Sequence, residues 1–121
     1  MDPNGGKKRM FNKLNKQQTI AKIESESFKR KTVSFYRYVI LESPFQLRDQ
    51  LYVHWKELSV LGRIYLAHEG VNAQLSVPEH NWDAFVKNVH ANEYFAAMPF
   101  KIAVEDDGQS FFKLTIKVRN Q

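Results

Sequence analysis

A chain of 121 residues, 43% apolar and 13% aromatic, is long enough for one domain with an ordinary hydrophobic core. It contains no cysteine, which excludes disulfides, thiolate metal sites and cysteine nucleophiles, and no run approaches the roughly 20 apolar residues of a membrane-spanning helix. The formal net charge of +5 is unevenly placed: residues 1–31 hold nine basic and three acidic side chains, a balance of +6, whereas the remaining residues hold nine basic and ten acidic ones, a balance of −1.

The charge therefore sits on a leader and not on the body of the chain. Met1–Met10 contains Pro3, Asn4, Gly5 and Gly6, has no periodic apolar pattern and lacks the apolar stretch of a signal peptide. Residues 1–14 are read as a disordered basic leader and the cytoplasm as the location. Such an arm can screen phosphate charge and strengthen nucleic-acid binding without reading sequence; it can equally be a solvated tail. Residues 15–31 place Ile20, Ile23 and Phe28 on one thin apolar side, which predicts a short helix or a linker.

The folded body is expected over residues 32–119. Thr32–Leu41 is rich in β-branched and aromatic residues and reads as a buried central strand, with Arg37 as an unexpected charge inside it. Ser43, Pro44 and Gln46 form a helix start, Ser43 as the cap, Pro44 in the first turn and Gln46 at the capping-box position. Leu47, Leu51, Trp55 and Leu58 continue at helical spacing to about Leu61, where Gly62 is expected to end the helix. Arg63–Ala67 and Asn72–Val77 alternate as two strands joined through His68, Glu69, Gly70 and Val71, and Pro78 stops the second. Trp82, Phe85, Val86 and Val89 mark a second amphipathic helix. Phe100–Val104 reads as a strand, Asp106–Gln109 as a turn, and Phe111–Arg119 as a last strand with Phe112, Leu114, Ile116 and Val118 on one face. The order β-α-β-β-α-β plus a C-terminal strand gives an α+β domain of the ferredoxin-like or acylphosphatase-like plan, an antiparallel sheet with both helices on one face.

Period-two alternation separates the open face from the helix-covered one. Outward fall Arg63 and Tyr65 on one strand, Asn72, Gln74 and Ser76 on the next, and Lys113, Thr115, Lys117 and Arg119 on the last, with Tyr36 and Tyr38 sharing a face that can join them. Cations, amides and tyrosines suit RNA, since phosphates meet cations and bases stack on rings. The competing explanation is that any one-sided sheet has a polar outer face. His54, His68, His80 and His90 show no metal-ligand spacing, so no metal is expected, and His68 stands out only because a turn places it at the sheet edge.

The run Gly62–Pro78, GRIYLAHEGVNAQLSVP, resembles the N-terminal domain of the bacterial rhodanese-like tRNA uridine(34) hydroxylase family. Ser34–Tyr38 resembles that family's first strand, Leu47–Leu51 its first helix, and Asp106–Phe111 with Lys117–Arg119 its closing hairpin, so that the resemblance covers about Phe28 to Gln121. It implies tRNA as partner, molecular oxygen as co-substrate, conversion of the wobble uridine 34 to 5-hydroxyuridine, and a following rhodanese-like domain of the same polypeptide whose cysteine is needed for activity. The chain reaches Gln121, where the linker to that domain would begin, and has no cysteine. It is therefore expected to be an accessory domain with no catalytic residue, cofactor or metal of its own, inactive by itself and not membrane-bound. Arg37, Arg63, Tyr65, His68, Asn72, Gln74, Lys113, Lys117 and Arg119 are the candidate residues for RNA or interdomain contact. Two other readings stand beside this one: a module that only docks on and orders the rhodanese-like domain, and an acylphosphatase-type enzyme, which would need Arg37 beside a phosphate cradle of backbone amides although no glycine-rich loop lies between Leu41 and Pro44.

Overall fold

The computed structural model describes residues 15, 17–18, 21–22, 25–103 and 111–119; the leader and the Asp106–Gln109 turn lie outside them. Gln17, Gln18, Ala21 and Lys22 are helical. A reciprocal cap starts this segment: the Asn15 amide donates to Gln18 Oε1 at 3.1 Å, and the Gln18 amide donates to Asn15 Oδ1 at 2.8 Å.

Strand β1 (Arg30–Tyr38) begins two residues earlier than the propensity of Thr32 onward suggests and stops three residues earlier, at Tyr38. Helix α1 (Pro44–Glu57) follows, then β2 (Leu61–Ala67), β3 (Gly70–Pro78), a short 3₁₀ turn (Glu79–Asn81), α2 (Trp82–Ala91), a second 3₁₀ turn (Glu93–Phe95), β4 (Lys101–Ile102) and β5 (Leu114–Val118). The strand order across the sheet is β4-β1-β3-β2-β5. The first four strands pair antiparallel, as the ferredoxin-like plan requires, and β5 joins β2 in parallel, making the sheet mixed. The direction follows from connectivity: β4 runs opposite to β1 along one edge, and β5 starts beside Gly62, where β2 also starts.

The start of α1 differs from the capping pattern. Pro44 occupies the first turn, but Ser43 makes no side-chain cap bond, and its carbonyl accepts from the Leu47 amide instead. Gly62 does not end the helix. The chain leaves α1 through Leu58 and Ser59, the latter at φ 59°, while Gly62 sits inside β2 at φ 134°. A Cβ there would lie 2.2 Å from the Gln74 carbonyl oxygen, so glycine is required by the close approach of β3.

The core lies between the two helices and one face of the sheet. Val33 and Phe35 of β1, Ile64 and Leu66 of β2, Val71, Ala73, Leu75 and Val77 of β3, and Leu114 of β5 point there by strict alternation. Leu47, Leu51 and Trp55 reach it at four-residue spacing from α1, and Phe85 and Val89 from α2. Each of the larger of these side chains contributes about 1.5–3 kcal/mol by burial. Trp55 joins the helices: its ring lies 5.4 Å from that of Phe85, and its indole N–H donates to Asn88 Oδ1 at 2.8 Å. Among the described residues no helix is long and apolar enough to cross a membrane.

The segment before β1 belongs to this body. The Arg30 guanidinium donates to both carboxylate oxygens of Glu26 at 2.8 Å and to the carbonyls of Ser59 at 2.9 Å and Ser76 at 3.2 Å. It fastens residues 26–30 to the chain entering β2 and to the far end of β3. Within the segment read as a short helix or linker over residues 15–31, β1 already begins at Arg30.

The open face of the sheet as candidate site

The register turns alternation into rows on the side away from the core. Tyr36, Asn72, Tyr65 and Lys117 stand side by side across β1, β3, β2 and β5, and Ser34, Gln74, Arg63 and Thr115 form the row beside them. Tyr38, Gly70 and Ala67 make a third row at the end where β1 finishes, next to Arg119, whose amide donates to the Leu66 carbonyl at 2.7 Å. The structure therefore brings Arg63, Tyr65, Asn72, Gln74, Lys117 and Arg119 onto one surface. Ser76 shares that side but is fully buried, and its hydroxyl has no hydrogen-bond partner among the described residues. Lys113 is exposed at the opposite end, its carbonyl accepting from the Gly62 amide at 2.8 Å.

Arg37 is elsewhere. Alternation turns it toward the helix side with Val33 and Phe35, and its guanidinium donates to the carbonyls of Ala96 at 2.9 Å and Tyr94 at 3.3 Å. It holds the turn after α2 against β1 and does not add to the cationic face. The amides after β1 are engaged as well: Val39 donates to the Glu69 carbonyl at 3.0 Å and Leu41 to that of His68 at 2.9 Å. The Arg37 Nη1 and the Val39 and Leu41 amides are thus turned to backbone carbonyls and not to a shared phosphate cradle, which weighs against the acylphosphatase reading.

His68 and Glu69 are the two residues of a tight β2–β3 turn, shorter than the four-residue connection read from sequence. The His68 ring is exposed, and its Nδ1 lies 3.0 Å from the Leu41 carbonyl oxygen. A carbonyl only accepts, so Nδ1 carries the proton and donates. His68 thus clamps the chain after β1 to the hairpin.

Beside the turn the open face hollows into a cleft of about 490 Å³, lined by Tyr36, Tyr38, Tyr65, Ala67, Gly70 and Arg119 among others. Tyr36 and Tyr38 are 72% and 88% exposed, with rings edge to face at 6.4 Å. Across the cleft, the Arg119 guanidinium lies over the Tyr65 ring, 4.2 Å from its centre, a cation held on an aromatic face. Gly70 forms floor between these walls, and a Cβ there would meet the Arg37 carbonyl oxygen at 2.3 Å. Sequence reasoning placed Tyr38 only loosely and missed Ala67 and Gly70. Alternation assigns faces, but only register puts two small residues between two aromatic ones.

The family described as UPF0176 acylphosphatase like domain matches residues 30–121. A tRNA uridine(34) hydroxylase from Leptospira interrogans serogroup Icterohaemorrhagiae serovar Lai is 53% identical over 115 residues, 95% of this chain and 31% of the relative. The protein of the same name from Salmonella schwarzengrund is 42% identical over 113 residues, 93% of this chain and 32% of its own. The chain thus spans about a third of the length of these relatives. Among solved structures, BlrB, a BLUF protein in its dark state, superposes with a TM-score of 0.53 at 9% identity over 76% of this chain and 75% of its own. Full-length HypF, in a phosphate- and nucleotide-bound form, does so with a TM-score of 0.53 at 11% identity, over 78% of this chain and 13% of its own. At such identities these likenesses concern the fold alone.

Proposed function

The chain belongs to the UPF0176 acylphosphatase like domain family, and on that premise we propose that it is the tRNA-engaging accessory domain of an oxygen-dependent hydroxylase that forms 5-hydroxyuridine at position 34. The reaction belongs to a rhodanese-like domain of the same cytoplasmic polypeptide. This domain supplies surface, not chemistry: it has no cysteine, and Arg37 is committed to backbone carbonyls.

The observation that carries the reading is the set of three rows on the uncovered face. Arg63, Lys117 and Arg119 supply cations for phosphates, Asn72 and Gln74 supply amides for base edges or 2′-hydroxyls, and Tyr36, Tyr38 and Tyr65 supply rings for stacking. The basic leader adds affinity through counterion release without specificity.

Titrating the isotopically labelled chain with tRNA tests this. Amide shifts are expected on β2, β3 and β5, and replacing Arg63 and Lys117 by alanine weakens binding by roughly 1 kcal/mol per phosphate contact while folding survives. Truncation before Glu26, which spares the Glu26–Arg30 anchor but removes six of the leader's cations, lowers affinity and flattens its salt dependence. Incubating the chain with undermodified tRNA and oxygen yields no 5-hydroxyuridine by nucleoside mass spectrometry. Shifts confined to the leader would sink the face as an RNA surface. The second reading, docking on the rhodanese-like domain, is favoured by the exposed Tyr38, Ile40 and Phe45; it gains if that domain, added in trans, shifts the same amides and tRNA does not.

A further inference from the structure

The cleft beside the β2–β3 turn is narrower in its chemistry than the open face as a whole. We propose that it is a stacking slot for one unpaired nucleobase, the point at which a single-stranded part of the RNA is gripped; this rests on the reading that the open face meets tRNA. The walls are aromatic on both sides, Tyr36 and Tyr38 from β1, and Tyr65 capped by Arg119 from β2 and the end of β5. The floor is formed by Gly70 of β3, which offers no side chain, and its partner Ala67 of β2, which offers only a methyl group.

The width suits a ring. β1 and β2 flank β3, so the walls rise from backbones two inter-strand steps apart, roughly 9.6 Å. A flat ring stacked on one wall at the roughly 3.4 Å spacing of nucleic-acid bases fits within that. The volume of about 490 Å³ falls within the roughly 300–1,000 Å³ of small-ligand sites.

Polar groups mark a base and not an apolar side chain as the occupant. Asn72 stands between Tyr36 and Tyr65 in the register, and its amide offers both a donor and an acceptor to a base edge. Glu69 lines the rim and accepts from an imino or exocyclic N–H. Lys117 lies next to Tyr65, and Arg63 one row below, where phosphates flanking a base held in the cleft would pass. A cation stacked on a tyrosine complements the negative backbone that accompanies every base.

The test uses a short oligouridylate and a blunt RNA duplex as probes against the 121-residue chain. The oligouridylate is expected to shift the Ala67, Gly70 and Asn72 amides saturably, whereas the duplex, whose bases are paired and stacked, leaves them in place. Tyr38→Ala weakens oligouridylate binding about tenfold or more, as loss of one stacking ring does, and Tyr38→Phe restores it. Tyr38 is almost fully exposed, so folding is not at issue, and an unchanged amide spectrum confirms it. Equal response to duplex and oligouridylate, or an unaltered affinity in Tyr38→Ala, would overturn the slot. If tRNA binding then still falls with Arg63→Ala and Lys117→Ala, the open-face reading survives that loss. If neither RNA moves any amide of the sheet, both fall together.

Discussion

Removing the Arg30 side chain is expected to be among the most damaging single changes outside the apolar core. The side chains of Arg30 and Glu26 are only 3% and 12% exposed, and the guanidinium makes paired 2.8 Å bonds to the carboxylate while also holding the carbonyls of Ser59 and Ser76. Its central carbon lies over the Phe28 ring, 5.4 Å from the ring centre. Arg30→Ala leaves a largely desolvated carboxylate without its cation and two carbonyls without their donor. Breaking one partner of a buried pair costs about 3–5 kcal/mol. Because Glu26 lies nearer solvent than Arg30, about 3 kcal/mol is expected, a large share of the roughly 5–15 kcal/mol that holds a domain together. The double replacement Arg30→Met with Glu26→Leu removes both charges and is expected to recover part of that loss, because no carboxylate is left desolvated, while the Ser59 and Ser76 carbonyls still lack their donor. Urea unfolding followed by tryptophan fluorescence at constant pH gives both numbers. A cost below about 1 kcal/mol for Arg30→Ala, or a double variant as unstable as the single one, would refute the claim that this pair is desolvated and that residues 26–30 are part of the fold.

Three other perturbations have defined outcomes. Burial pushes the Tyr52 hydroxyl from its ordinary 10 up to about 12, so the unfolded chain ionises first; the stability from keeping this phenol neutral is whole below pH 10 and lost as pH rises from 10 to 12. The loss amounts to at most about 2.7 kcal/mol at 1.36 kcal/mol per unit, and Tyr52→Phe, compared with the parent by urea unfolding at pH 9 and pH 11.5, is expected to lack that part of the alkaline destabilisation. Gly62→Ala forces a side chain into φ 134° and against the Gln74 carbonyl, and is expected to cost about 2–4 kcal/mol in the same unfolding assay; a neutral effect would mean that β2 and β3 separate there without penalty. Arg37→Ala removes two bonds to the turn after α2 and is expected to cost about 1–2 kcal/mol of stability while leaving tRNA affinity unchanged, which titration at fixed salt reads directly.

Much of the architecture was legible because the signals are local. The four-residue spacing of Leu47, Leu51 and Trp55 can only be a helix face, and the alternation in Arg63–Ala67 and Asn72–Val77 can only be two half-buried strands. The same alternation sorted Arg63, Tyr65, Asn72, Gln74 and Lys117 to one side correctly, since a strand has just two faces. Tertiary structure decided what local pattern could not. Gly62 looks like a helix stop, but the approach of the β3 backbone makes it a strand residue, and Ser59 takes the turn instead. Arg37 looked like a binding cation in a buried strand, yet the carbonyls that hold it lie 57 and 59 residues away in sequence. The parallel pairing of β5 with β2 and the partners of Arg30 depend likewise on segments far apart in the chain. The cleft exists only because register sets Tyr38, Gly70 and Ala67 in one row beside Arg119, and register is a property of strands in contact, fixed by packing.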